Sequence, residues 1–125
     1  MKKNLIIIFL TFFLTNNSIA ANFICTNLES GFREAFVVEK KVIKRLSEIG
    51  KKGSSKFQLS QEFKRKKSKE LEFRGILKQK GSTKAKHIIS IDSRGGNAQL
   101  DSTYYFGAGV SDLKVLENYN CERIK

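Results

Sequence analysis

The chain has 125 residues, with 24 Lys and Arg against 12 Asp and Glu and a formal net charge of +12 at neutral pH. That length suits one domain and cannot hold two ordinary cores. Two cysteines and a single histidine cannot complete a structural zinc site of four ligands.

Residues 1–20 have the three parts of a cleavable export signal. Lys2 and Lys3 open it, Leu5 to Leu14 form an apolar run broken only by Thr11, and Ser18 and Ala20 supply small residues at the cleavage positions. Cleavage is expected before Ala21. The apolar run is too short for a spanning helix, which needs roughly 20 residues. The mature chain, residues 21–125, is then a single β domain without a transmembrane segment, delivered to the periplasm or the medium. In such an oxidising compartment Cys25 and Cys121 read as a disulfide joining the two ends of the domain. Closing so long a loop stabilises a fold by about 4–5 kcal/mol in the chain-entropy account.

In chain order, Phe23 to Asn27 is the first strand-like run. Ser30 to Gly53 has two readings. As a helix it is capped by Ser30, with Phe36, Val42, Leu46 and Ile49 on one face. As a hairpin it runs Glu34–Glu39 and Val42–Glu48 and turns at Lys40-Lys41, which the Phe36-Val37-Val38 run favours. Further on, apolar residues alternate with polar ones. Phe57, Leu59 and Phe63 share one face; Leu71, Phe73 and Leu77 a second; Ala98, Leu100, Tyr104 and Phe106 a third. The Ile88, Ile89 and Ile91 run is of the same kind, and Val115 to Arg123 closes the chain. Period-two alternation is the pattern of half-buried antiparallel strands. Gly50–Ser55, Lys66–Lys69, Lys80–Lys84 and Arg94–Asn97 read as the turns between them. The fold expected is all-β, a small antiparallel meander closing into a barrel or sandwich; a helix within 31–50 would make it α+β.

The charge is concentrated. Residues 40–86 carry 17 basic and 4 acidic residues, whereas 21–39 and 87–125 are each slightly acidic. The densest piece runs from Lys64 to Lys69 at a hairpin tip. Lys64, Arg65, Lys66, Lys67, Lys69 and Arg74 are therefore the candidate anion-binding residues, since clustered cations attract polyanions through summed fields and counterion release. The rival reading of the same lysines is a solvated, solubilising face. Tyr105 is the aromatic best placed for an exposed contact.

Residues suited to catalysis are sparse. His87 lies on a strand face opposite Ser90 and Asp92. Glu70 and Glu72, flanked by Lys69 and Arg74, read as members of cross-strand ion pairs. No Gly-x-Ser-x-Gly elbow is present, and the glycine pairs lack a strand–loop–helix context for phosphate. No metal or cofactor is expected. A short exported β domain with cysteines at its ends resembles the barrel-shaped lysozyme inhibitors of the bacterial periplasm in architecture. Their Ser-Gly-x-x-Tyr loop is not matched, because Ser30-Gly31 is followed by Phe32-Arg33-Glu34. The chain thus reads as a non-enzymatic binding module for an anionic partner: an envelope polyanion, an acidic glycan, a nucleic acid or an acidic protein. The alternative is an inhibitor or envelope interaction domain that binds a protein through its loops. A hydrolase of unknown type is the remotest reading.

Overall fold

Alternation of side chains becomes a barrel when every strand turns its apolar set the same way. The computed structural model describes residues 19–81 and 84–124, so the export-signal reading falls almost wholly outside the described residues. Eight strands follow one another as β1 (Ile19–Asn27), β2 (Arg33–Glu39), β3 (Val42–Glu48), β4 (Phe57–Lys66), β5 (Glu72–Gln79), β6 (Lys84–Asp92), β7 (Gly96–Tyr105) and β8 (Leu113–Arg123). Each pairs antiparallel with the next, and β1 pairs with β8 to close the ring. No helix forms among the described residues. The 31–50 segment is the β2–β3 hairpin turning at Lys40-Lys41, because that register puts Val38 opposite Ile43 with both buried inside.

Cys25 lies directly opposite Cys121 in the β1–β8 ladder, and the two form a disulfide with Cα atoms 3.9 Å apart. The bond closes a chain separation of 96 residues. It therefore fastens the one strand pairing of the barrel that joins the two ends of the chain.

The connections 40–41, 67–71 and 93–95 lie at one end of the barrel, and 28–32, 49–56 and 106–112 at the other. Toward the first end the interior is apolar, filled by Phe23, Phe36, Ile43, Phe63, Ile89 and Leu100, all at 1% exposure or less. Phe73 and Leu77 pack against this cluster. Gly75, between them on β5, also faces inward. A Cβ there would come 2.8 Å from the Phe63 Cβ and within 3.3 Å of Ile43 and Ile89. The barrel is therefore closed around a position with no room for a methyl group.

Two strands depart from simple alternation. The β3–β4 register steps so that Arg45 opposes Gln61 while Leu46 opposes Leu59. Ser60 is the extra residue, a bulge that reverses the faces of everything before it. Phe57 and Leu59 consequently do not share the inner face of Phe63. Leu59 is 52% exposed, and Phe57 lies on the outside beneath the Arg33 guanidinium, 6.0 Å from its ring centre. Leu71 also leaves the predicted face. It sits in the β4–β5 connection with φ of 68°, a left-handed conformation that ends the turn, and is exposed. Phe106 lies beyond the end of β7 and is exposed as well.

Gly75→Ala is expected to lower stability by about 1–3 kcal/mol, the usual cost of overpacking a filled core. Urea unfolding of the oxidised protein checks this; an unchanged midpoint would mean that Phe63 moves aside freely.

Candidate functional site: a basic seam between β4 and β5

Seven of the eight strand pairings around the barrel involve five or more residue pairs. The β4–β5 ladder has three: Lys64 with Ile76, Arg65 with Gly75, and Lys66 with Arg74. Beyond Lys64 the two strands part. A hollow of about 430 Å³ opens there, lined by Glu62, Phe63, Lys64, Lys66, Leu77 and Lys78 together with Val42 and Ile76. A second hollow of about 470 Å³ lies beyond Lys78 and is lined by Lys78, Lys80, Lys84, Lys86 and Tyr105. Lys78 is common to both.

Strand parity explains why cations gather here. Phe63, Gly75, Leu77, Ala85, His87 and Ile89 belong to the inner set, so Lys64, Lys66, Arg74, Lys78, Lys84 and Lys86 belong to the outer one. Register then places like charges side by side. Lys66 stands opposite Arg74, and Lys78 opposite Lys86. Like charges directly opposed across a ladder destabilise it. Among the described residues, none of these four cations makes an ion pair.

Of the six residues singled out in the sequence, Lys64, Lys66 and Arg74 come together on this face. Lys67 and Lys69 are exposed in the adjoining turn. Arg65 has the opposite parity. It turns inward, donates to the Glu39 carbonyl at 2.9 Å and stacks 4.9 Å from the Phe73 ring centre. Lys78, Lys84 and Lys86 were not among the six. They are distant in sequence from Lys64–Lys69, and only the β4–β5–β6 register brings them alongside; their parity and their place in the 40–86 block were the available signals. Among the described residues, Glu70 and Glu72 do not enter the expected cross-strand ion pairs. Glu72 instead stands opposite Asp92, and Asp92 is held by Arg94 at 2.8 Å.

The interior toward the 49–56 end is polar. Arg45 reaches in from β3 and donates to both Glu34 oxygens at 2.6 and 2.8 Å, to Gln61 at 2.6 Å and to the Tyr119 hydroxyl at 3.3 Å. Tyr119 donates to Glu34 at 3.0 Å, and Glu117 lies 3.9 Å from the guanidinium. Burial alone would lower the Arg45 pKa, but the hydrogen bonds and charge of Glu34 outweigh it and the pKa rises. Burial raises the Tyr119 pKa. His87 is buried beside this network, its Nδ1 2.7 Å from the Ser102 hydroxyl and its Nε2 2.8 Å from the Gln79 amide oxygen. Tyr104 packs edge-on against it, with ring centres 5.7 Å apart. Burial and then the Arg45 charge lower the His87 pKa. Each group is therefore fastened to another, and the arrangement braces the barrel toward its 49–56 end. Around the rim at this end, Leu28, Phe32, Ile49, Phe106, Val110 and Leu113 are 41–64% exposed.

Two outcomes follow for the interior. Arg45→Met should cost about 3–5 kcal/mol because Glu34 is left buried without its cation, whereas removing both charges together should cost far less; chemical unfolding of the two variants compares them. For His87 the folded pKa lies below the ordinary 6.5, so the unfolded chain takes up the proton first. Stability is therefore complete above that value and falls as pH drops below it, and His87→Gln flattens this part of the profile. Glu48 is held near a pKa of about 2, first by the Ser55 amide and then by Arg33, and Asp92 near 2 by Arg94. Their contribution is present above about pH 4.5 and is lost as pH falls toward 2. Unfolding midpoints measured across pH read all three.

Comparison with protein-family models, curated proteins and solved structures found no match to the chain.

Proposed function

We propose that the protein is an exported binding module that holds an anionic macromolecule on the basic outer face of β4, β5 and β6. The observation that carries the reading is the pair of directly opposed cations, Lys66 with Arg74 and Lys78 with Lys86, beside two hollows lined by further lysines. A merely solubilising surface gains nothing from stacking like charges in register, where each pair weakens the sheet. A polyanion relieves that repulsion and gains counterion-release entropy as it binds. Tyr105, 40% exposed at the second hollow, adds an aromatic surface. His87 is only 3% exposed, which supports a structural role for it over proton transfer to a ligand. The Cys25–Cys121 disulfide suggests a non-cytoplasmic environment. Together with the signal-like residues 1–20, it supports delivery to the periplasm or the medium.

A second reading has its own observation. The apolar rim at the 28–32, 49–56 and 106–112 end suits a protein partner gripped through loops, as an inhibitor or envelope interaction domain would do. Binding that survives charge reversal on β4–β6 but is lost with Phe32→Ala and Phe106→Ala would favour it.

The oxidised protein is expected to bind heparin at low salt and to release it steeply as salt rises. Reversing Lys66, Arg74, Lys78 and Lys86 to Glu should shallow the log–log salt slope by roughly 0.7–0.9 per lost contact. Reversing Lys51, Lys52, Lys56 and Lys114, which lie away from the seam, should change it much less. Passage through heparin and cation-exchange columns without retention at low salt would exclude the anion-binding reading.

A further inference from the structure

We infer that the anionic partner engages the seam as an extended acidic polypeptide strand, pairing with the open edges of β4 and β5. This rests on the anion-binding reading above and names its ligand class.

The main chain supplies the first argument. The Arg65 amide donates to the Lys41 carbonyl at 2.8 Å, toward the β2–β3 turn. Alternate residues of a strand direct their N–H and C=O groups to opposite neighbours. Lys66, Lys64 and Glu62 therefore direct theirs toward β5. Lys66 and Lys64 meet Arg74 and Ile76 there. Continuing the register would set Glu62 opposite Lys78, but the ladder stops at Lys64–Ile76. The main-chain groups of Glu62 and Lys78 thus face the hollow, and both residues line it. Exposed strand edges of this kind are what an added strand pairs with.

The side chains supply the second. Around the hollow, Lys64, Lys66 and Lys78 stand on the outer side with Glu62 among them, and on the inner side lies the half-buried Leu77, with Phe63 fully buried behind it. A strand lying in the seam would present alternate residues to these two surroundings. The matching sequence alternates acidic residues, facing the lysines, with apolar residues facing Leu77. Lysines at an open edge repel ordinary strands and so guard against aggregation. The same lysines admit an acidic strand, so the repulsion that protects the edge also selects its partner. A glycan, a nucleic acid or a lipid head group could match the charge. None offers both a row of amide donors and acceptors and an alternating apolar face.

The test uses the oxidised protein and a fluorescent peptide in which glutamate alternates with valine and threonine. Three comparison ligands accompany it: the same composition with the glutamates in one block, the same sequence N-methylated along one edge, and heparin. The alternating peptide is expected to bind at least about tenfold more tightly than the blocked or the methylated one, because each lacks either the side-chain pattern or the main-chain pairing. Joining the seam with Glu62→Cys and Lys78→Cys is expected to abolish peptide binding, whereas heparin binding persists with its salt slope shallower by only the one Lys78 contact, roughly 0.7–0.9. Equal affinity for all three peptides, or heparin binding alone, would overturn strand pairing and leave the anion-binding reading standing. Binding of no ligand at low salt would overturn both. The methylated peptide keeps the proposal testable if the double cysteine variant does not fold.

Discussion

Closure of β1 onto β8 is the constraint on which the molecule depends. An eight-strand meander leaves two edge strands, and each carries a row of unsatisfied main-chain groups. Pairing those edges removes the cost, but it joins segments nearly a whole chain apart, so the entropy of closing the loop opposes it. Cys25 and Cys121 meet in direct register at this closure. The disulfide cuts the disorder available to the unfolded chain, and the contact that is hardest to form becomes the one that is covalently held.

With the ring closed, the interior divides along its axis. One half is packed apolar around Gly75, where the wall comes too close for any side chain. The other half holds Arg45, Glu34, Tyr119 and Gln61 in one hydrogen-bonded group, with Glu117 3.9 Å from the guanidinium and His87, Ser102 and Gln79 beside it. Buried charge is tolerable only when it is paired and its remaining hydrogen bonds are met. The guanidinium of Arg45 meets that condition with carboxylate, amide and phenol partners drawn from β2, β4 and β8. Such a network tolerates few alternative arrangements and so fixes strand register at the polar end of the barrel.

Against this braced wall, the β4–β5 seam is the exception. Three residue pairs hold it, and the cations of three strands converge beside it. The opening lies beside the like-charged pairs Lys66–Arg74 and Lys78–Lys86, whose mutual repulsion works against the sheet around it. In the proposed function that same repulsion is the source of affinity, because an anion entering the seam supplies both countercharge and, if it is a strand, the missing main-chain partners.

The β2–β3 hairpin, the disulfide and the order of strands could be read from the chain, because side-chain alternation, glycine-rich turns and cysteine count are local or compositional signals. The inward parity of Arg45, beside Ile43, was legible too once the hairpin was chosen over the helix. The Ser60 bulge was not. Nothing in Phe57–Phe63 marks the extra residue, and its effect appears only when β4 is laid against β3. The sequence alone determined that cations crowd the middle of this chain and that its ends meet. Which cations stand together was decided by register, because Lys64, Arg74, Lys78 and Lys86 become neighbours only when three strands lie side by side, and Arg65 leaves the group by a single step of alternation.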